Sequence, residues 1–511
     1  MIMPTSTTRD ISGRTFISVC IVALAVGAGL RFFRLGHRSL WEDELSTWTS
    51  IRSTVMDGIR YVQMPHPPLY SLSARAVAGD PVPSEATLRL PAAVYGIAAI
   101  AAAGWLAVCL YGRAVAAAVL MAMALNAFQI KYSQEARMYS LLTLTTTLSV
   151  LFWHRLVAGG RRRDYVGYLM STVCLLYSHY LAALVLAAQG TWLTVYIAAR
   201  RDGWRATVKP ILAMAAPLVA FAPLGVFFVL EIMPNRIAWI QHEPIGAYVT
   251  ALGRMVAGPI DRIDAGDFVD TAPIAGVVVF ILAMVGLCAP PRSVKGERNT
   301  PTVRQWLVNR QAELLLALWA AFTLGGLFVL SELVHPTFVP RYAISTAVPV
   351  AILVLVGAAR FGRWLLWAAT VFLCLNGVLD AVDRLTTPAG PDGLRSIIEH
   401  LNNHADANDA AVVVDLPFCP DWKNPVVMGF DYYGLRPDIE VLHIQGDLAT
   451  NVITSDEALA DPRNLHIIVL RGDVETALDR RGRSRNRYIA EPYRYYQVRG
   501  TDVEHPPIAP D

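Results

Sequence analysis

Three acids stand side by side in "LWEDELSTW", at Glu42, Asp43 and Glu44, a few residues after an apolar segment long enough to cross a membrane. Acids just beyond a span are often no more than solvated loop. These, however, lie between Trp41 and Trp48, and tryptophan favours the membrane–water interface. A carboxylate at that depth faces lipid headgroups on one side and water on the other. It suits a general base acting on a hydrophilic acceptor while a second reactant stays in the lipid.

Cations cluster elsewhere. The short stretch "IKYSQEARMYSLL", residues 130–142, gathers Lys131, Tyr132, Gln134, Glu135, Arg137 and Tyr139. Lys131 and Glu135 have the spacing of an ordinary surface ion pair, and Arg137 could snorkel from the next span. The alternative is that arginine or lysine here holds a phosphate. "MPHPPLY", residues 64–70, presents His66 on a proline-stiffened backbone, either as a structural turn or as a contact to phosphate or substrate. "VPRYAI", residues 339–344, opens a late apolar block with Arg341 and Tyr342, where interfacial anchoring is the plain alternative. "YSHY", with His179 and Tyr180, is a weaker candidate of the same kind.

The elements that must position these residues are membrane spans. The 511 residues are 54% hydrophobic and 17% charged, with mean hydropathy +0.40. Soluble domains carry charge on about a quarter of their residues. Eleven apolar blocks have the length of a helix that crosses the hydrocarbon layer, at roughly 16–33, 90–110, 114–130, 138–154, 165–180, 181–199, 208–230, 272–289, 312–331, 342–359 and 362–380. "RFFRLGH" follows the first block where a small-residue cleavage site would stand, so that block reads as a retained span. The net charge of +3 is small and the arginines are scattered, which argues against a nucleic-acid partner. Five of six cysteines fall inside apolar blocks and Cys419 stands apart, so neither a disulfide framework nor a CxxC metal site is expected.

Arginine-rich connections at 155–164, 200–209, 290–310 and 360–363 alternate along the chain and assign one side as cytoplasmic. The N-terminus is then cytoplasmic, while the segments near 35–89, 131–138, 231–271 and 332–341 and everything after 380 face the other side. In the first of these, Trp48, Ile51, Val55, Ile59 and Val62 have helical spacing and predict a helix lying along the membrane surface with one face in the headgroups. After residue 380 the composition changes. "AAVVVD", "NPVVMGFDYYG", "IEVLHI", "NLHIIVLRG" and "RYYQVRG" read as β-rich runs and "PDGLRSIIEHLNNHA" as an amphipathic helix. The expected organisation is a transmembrane domain over 1–380, with the loop 35–89, and a small α/β domain over 381–511.

Taken in order, the "DE" pair after the first span, "HPPLY", "LRLPAAVYG", "YSQEARMYSLL" and a late "PRY" resemble the GT-C glycosyltransferases of the protein-mannosyltransferase and lipid A aminoarabinose-transferase type, in the broad group of glycosyltransferase family 39. The resemblance covers roughly residues 15–360. It implies a polytopic α-helical membrane protein of GT-C fold in a bacterial cell membrane. The implied reaction moves one sugar from a polyprenyl-phosphate carrier to an acceptor lipid, glycan or protein outside the cytoplasm. On matching positions it implies Asp43 as the base, Glu44 as its positioning neighbour, and Arg89 and Arg137 as phosphate partners. Glu135, His66, Tyr132, Tyr139, Arg341 and Tyr342 complete the expected donor and substrate site, and Glu42 is read as solvated loop. The family differs internally over a divalent metal, which stays open here. A lipid or glycolipid transporter is the competing class; it would place polar groups at mid-membrane depth in broken, repeated helices.

Overall fold

The computed structural model describes residues 10–52, 66–79, 81–200, 204–227, 240, 242–257, 272–288, 302–386, 393–406, 409–415, 425–447, 452–453, 463–469, 485–490 and 493–498. The chain forms two compact units. One comprises Met1–Leu35, Gly58–Val77 and Arg89–Thr387; the other comprises Gly36–Asp57, Ala78–Leu88 and Pro388–Asp511.

The first unit is helical, and the described residues of the eleven apolar blocks are mostly in helix. Among the described residues, Gly13–Phe32, Glu85–Tyr111, Tyr180–Arg200, Val208–Phe227, Gln311–Leu333, Pro340–Phe361 and Arg363–Val382 are long and apolar enough to cross a membrane. Tyr139–Val157, Arg162–Leu176 and Ala272–Cys288 account for three more blocks. Outward-facing apolar residues such as Ile21, Leu212, Val219, Phe280 and Trp364 are exposed. For a multi-pass membrane protein that exposure is the lipid-facing surface rather than a defect. Inside, small residues bring backbones close: a Cβ on Gly253 would strike the Ala272 carbonyl, and one on Gly276 the Val249 carbonyl.

The block at 114–130 is not one straight span. It breaks into Arg113–Ala124 and Ala127–Ser133, bent by 56°. The break exposes carbonyls that would be unsatisfied in lipid. Arg31, buried in the first helix, answers them by donating to the Met123 and Ala124 carbonyls, both at 3.2 Å. Asn126 caps the second piece by accepting the Gln129 N–H at 2.8 Å, and its amide donates to the Met255 carbonyl at 2.9 Å.

The second unit carries a six-stranded sheet in the order β3-β2-β1-β4-β6-β5. The strands are β1 Ala410–Asp415, β2 Glu440–Asp447, β3 Val452–Ile453, β4 Leu465–Val469, β5 Arg485–Ala490 and β6 Tyr493–Val498. β1 runs parallel to both β2 and β4, and the outer pairs are antiparallel. The helix Gly393–His404 buries Leu394, Ile397, Ile398 and Leu401, as its pattern predicts.

Three readings are corrected here. "NPVVMGFDYYG" is not a strand but the helix Pro425–Tyr433, which supplies the crossover between β1 and β2. Its apolar residues at 426, 428, 430 and 432 alternate like a strand, but Pro425 suits a first helical position and Gly434, at φ +74°, a left-handed stop. Second, Glu42 is not loop; it opens the helix Glu42–Arg52 and is half-buried. Third, the apolar face of that helix is covered by protein, not headgroups. Leu45 and Trp48 are buried, and the Trp48 ring meets Tyr432 edge-on at 5.1 Å. Val55, Ile59 and Val62 lie outside the described residues.

The segment 81–88 is fixed to the same unit by the Tyr432 hydroxyl, which donates to the Pro83 carbonyl at 2.6 Å, and by an Arg395–Glu85 ion pair.

Candidate active site

The bent helix sets up the first wall of the site. Ser133 closes its last turn, accepting from Arg31 Nε at 3.2 Å and donating to the Gln129 carbonyl at 2.6 Å. Gln134 then turns back to cap the first helix, donating to the Leu30 and Phe33 carbonyls at 3.0 and 2.8 Å. A Cβ on Gly96 would collide with Ser133 and Arg31, so a bare backbone there makes room for this junction. With both ends held, residues 135–138 form a short rigid connection into the helix Tyr139–Val157, and Arg137 and Tyr139 are buried.

The second wall comes from "VPRYAI", which forms the 3-10 turn Pro340–Thr346 with proline at its first position. Gln129 Nε2 ties this turn to the bent helix through the Ile344 carbonyl at 3.0 Å. The Arg341 guanidinium lies 5.9 Å from the ring centroids of both Tyr139 and Tyr342, within cation–π range.

The third wall is built from "MPHPPLY" and "YSHY". The Leu69 N–H donates to the Tyr177 carbonyl at 3.1 Å, which draws the proline segment onto the turn after helix Arg162–Leu176. The rings of His66 and His179 are then 5.0 Å apart, and each faces Tyr342, at 5.9 and 5.0 Å. His179 is the cap of the short turn Tyr180–Ala182: its Nδ1 accepts the Leu181 N–H at 3.2 Å.

These walls make a basic, aromatic chamber. Burial pushes the His66 imidazole well below its usual range, and Arg137, His179 and Arg341 push it further. Burial, with Arg137 beside it, pulls His179 down to about 3. Both rings are therefore neutral near pH 7, and the positive charge resides on the guanidinium groups. Planar donor forks against π faces suit an anion with several acceptor oxygens.

His66, Tyr132, Arg137, Tyr139, Arg341 and Tyr342 thus come together within the helical unit, with Tyr132 joining through its ring contact to Tyr139 at 5.1 Å. Glu135 is half-buried and contributes its carbonyl to the Arg137 N–H at 2.7 Å. Arg89 is anchored at the end of the first helix, where its Nη1 donates to the Leu35 carbonyl at 3.0 Å. His179 is the residue that sequence reasoning undervalued. Its signal was a histidine in cap position just before a short turn, which only the contact with His66 makes meaningful.

Asp43 and Glu44 belong to the second unit and lie in the first turn of helix Glu42–Arg52. Glu44 is fully buried, and its carboxylate accepts the Trp41 N–H at 3.4 Å, the acidic half of a capping box. Asp43 is half-buried; its carbonyl receives the Thr47 hydroxyl at 3.2 Å. The two neighbours therefore differ in kind: Glu44 holds the helix start, and Asp43 keeps partial access to solvent. No group of three or more His, Cys, Asp or Glu side chains that could hold a metal gathers among the described residues. Cys20, Cys109, Cys174, Cys288 and Cys374 are free thiols.

No protein-family profile and no curated protein sequence matches the chain. Solved structures do. ArnT from Cupriavidus metallidurans bound to undecaprenyl phosphate is similar with a TM-score of 0.55 at 13% identity, over 97% of this chain and 100% of that one. The apo state of that ArnT gives 0.53 at 14% identity, over 94% and 97%. The Archaeoglobus fulgidus oligosaccharyltransferase tethered with an acceptor peptide containing the NVT sequon gives 0.50 at 10% identity, over 91% of this chain and 70% of that one. With its apolar helices and this likeness, the chain is a multi-pass membrane protein of the GT-C glycosyltransferase fold.

Proposed function

We propose that the protein is a glycosyltransferase that moves a sugar from a polyprenyl-phosphate donor to an acceptor hydroxyl on the extracytoplasmic side of the membrane. The observation that carries this reading is the cluster of Arg137, Arg341, His66, His179, Tyr139 and Tyr342, a basic and aromatic group at the ends of apolar helices. The undecaprenyl phosphate on ArnT supports a lipid phosphate as the anion. An apolar pocket of about 550 Å³, lined by Tyr248, Phe280, Phe328 and Leu353 among others, has the lining an isoprenoid chain favours.

In this reaction the Asp43 carboxylate takes the proton of the acceptor hydroxyl as its oxygen attacks the anomeric carbon. The bond from that carbon to the phosphate oxygen breaks, and polyprenyl phosphate leaves with its electron pair. Arg137 and Arg341 stabilise the charge developing on the leaving phosphate. Glu44 supports the base through the helix cap it makes at Trp41.

The test is a membrane assay with defined polyprenyl-phosphate sugars. Asp43→Asn keeps size and most hydrogen bonding but takes no proton, so turnover should fall by about 100- to 10,000-fold with donor affinity kept. Near-normal turnover in Asp43→Asn removes the base assignment.

The proposed orientation places residue 160 inside and residue 450 outside the cytoplasm, as the alternating arginine-rich connections require. Reporter fusions at both sites read this directly, and a cytoplasmic signal at 450 contradicts it.

A further inference from the structure

We infer that His179 is a phosphate-recognition residue, whose Nε2–H donates to a non-bridging oxygen of the carrier phosphate. The inference rests on the donor reading of the chamber and adds a residue that carries no formal charge.

The tautomer follows from the backbone. His179 Nδ1 lies 3.2 Å from the Leu181 amide nitrogen. A backbone N–H only donates, so Nδ1 presents its lone pair and the proton of the neutral ring sits on Nε2. His179 is 3% exposed, and its Nε2 finds no hydrogen-bond partner among the described residues. Buried donors are rarely left in that state in a folded protein, so this one points to an acceptor supplied by a ligand.

The surroundings say which acceptor. The charge that most perturbs His179 is Arg137, and its ring neighbours are His66 and Tyr342, each at 5.0 Å. His66 Nδ1 is likewise buried without a partner among the described residues. Guanidinium forks and an imidazole N–H are donors, and a site rich in donors matches a ligand rich in acceptor oxygens. A phosphate ester fits that description. The same chemistry is found on a polyprenyl phosphate and on an ordinary phospholipid headgroup, so the experiment must separate them.

Two substitutions divide the two jobs of the ring. In His179→Asn the side-chain oxygen still reaches the Leu181 N–H, which preserves the turn, but nothing reaches the position of Nε2. In His179→Gln the amide nitrogen approaches the Nε2 position while the cap is weakened. The full chain, in nanodiscs of phosphatidylcholine, is titrated with undecaprenyl phosphate, and its thermal midpoint is recorded in parallel.

His179→Asn should bind undecaprenyl phosphate about tenfold more weakly at an unchanged midpoint, and His179→Gln should recover part of the affinity at a lower midpoint. Wild-type affinity in His179→Asn overturns the inference. So does a loss in both variants that merely follows their thermal midpoints, since that describes a structural cap. Displacement of the probe by phosphatidylglycerol at equal affinity overturns the assignment to the carrier. Arg137→Ala separates this inference from the reading beneath it. If Arg137→Ala abolishes binding and His179→Asn does not, only the role of His179 falls. If the wild type fails to bind undecaprenyl phosphate, both fall.

Discussion

Arg310 and Arg360 share the Glu313 carboxylate, whereas Arg137 and Arg341 stand among imidazoles and tyrosine rings. Both pairs belong to the helical unit and both are largely buried. At the first, Arg360 forms an ion pair with Glu313 and also donates to the Gly286 carbonyl, while Arg310 Nη1 lies 3.7 Å from the same carboxylate. These side chains are 3–5% exposed. At the second, Arg341 faces the rings of Tyr139 and Tyr342, and Arg137 acts on the neutral rings of His66 and His179. The comparison teaches that a buried arginine beside a carboxylate and a backbone carbonyl joins helices, while one set against aromatic faces presents a planar donor fork to its surroundings.

The contrast is broken most forcibly at Glu313. Glu313→Gln removes the carboxylate that two buried guanidinium groups share and should destabilise the protein by about 3–5 kcal/mol. Thermal unfolding in detergent measures this, and turnover per folded molecule should stay near the wild-type value. A variant as stable as the wild type would show that the closed pair is not a structural clamp.

Arg137→Ala should act in the opposite sense. Donor affinity should fall by about 30-fold or more, corresponding to about 2 kcal/mol, with little change in stability. Arg137→Lys should restore only part, because the two-pronged fork is lost. Should Arg137→Ala unfold the protein and leave donor affinity intact, the two regions would be the same kind of structure.

The smallest effect is a pH dependence specific to the chamber. His179 titrates near 3 in the folded protein, against about 6.5 unfolded. As pH falls below 6.5 the unfolded chain binds a proton that the folded chain refuses, so stability is lost on acidification. From pH 7 to 5.5 this amounts to about 1 kcal/mol for one such histidine. The His66 shift works in the same direction. Melting temperatures of the wild type and His179→Asn at both pH values check it; equal slopes would remove the histidine's part.

Much of this was legible because it depends on period and length. The eleven apolar blocks announce the helices of the first unit, and "PDGLRSIIEHLNNHA" shows the amphipathic spacing that buries Leu394, Ile398 and Leu401. The misreadings share a cause. The helix Pro425–Tyr433 alternates apolar residues as a strand does, and its helical state depends on neighbours that cover several of its faces. The face bearing Leu45 and Trp48 is apolar whether its cover is lipid or protein, and the chosen cover is Tyr432.

The amino-acid order by itself determined a multi-pass helical protein followed by an α/β region, since hydrophobic length and periodicity are local properties that need no partner to be read. It also determined where basic, aromatic and acidic motifs fall relative to the spans. Only tertiary structure decided that the block at 114–130 breaks, because the freed carbonyls of Met123 and Ala124 are satisfied by Arg31 from about 90 residues away. Only tertiary structure brought His179 against His66 and Tyr342, with Arg137 as its charged neighbour. The physical reason is the same in both cases: a buried polar group is defined by the partner it finds, and that partner is distant in the chain.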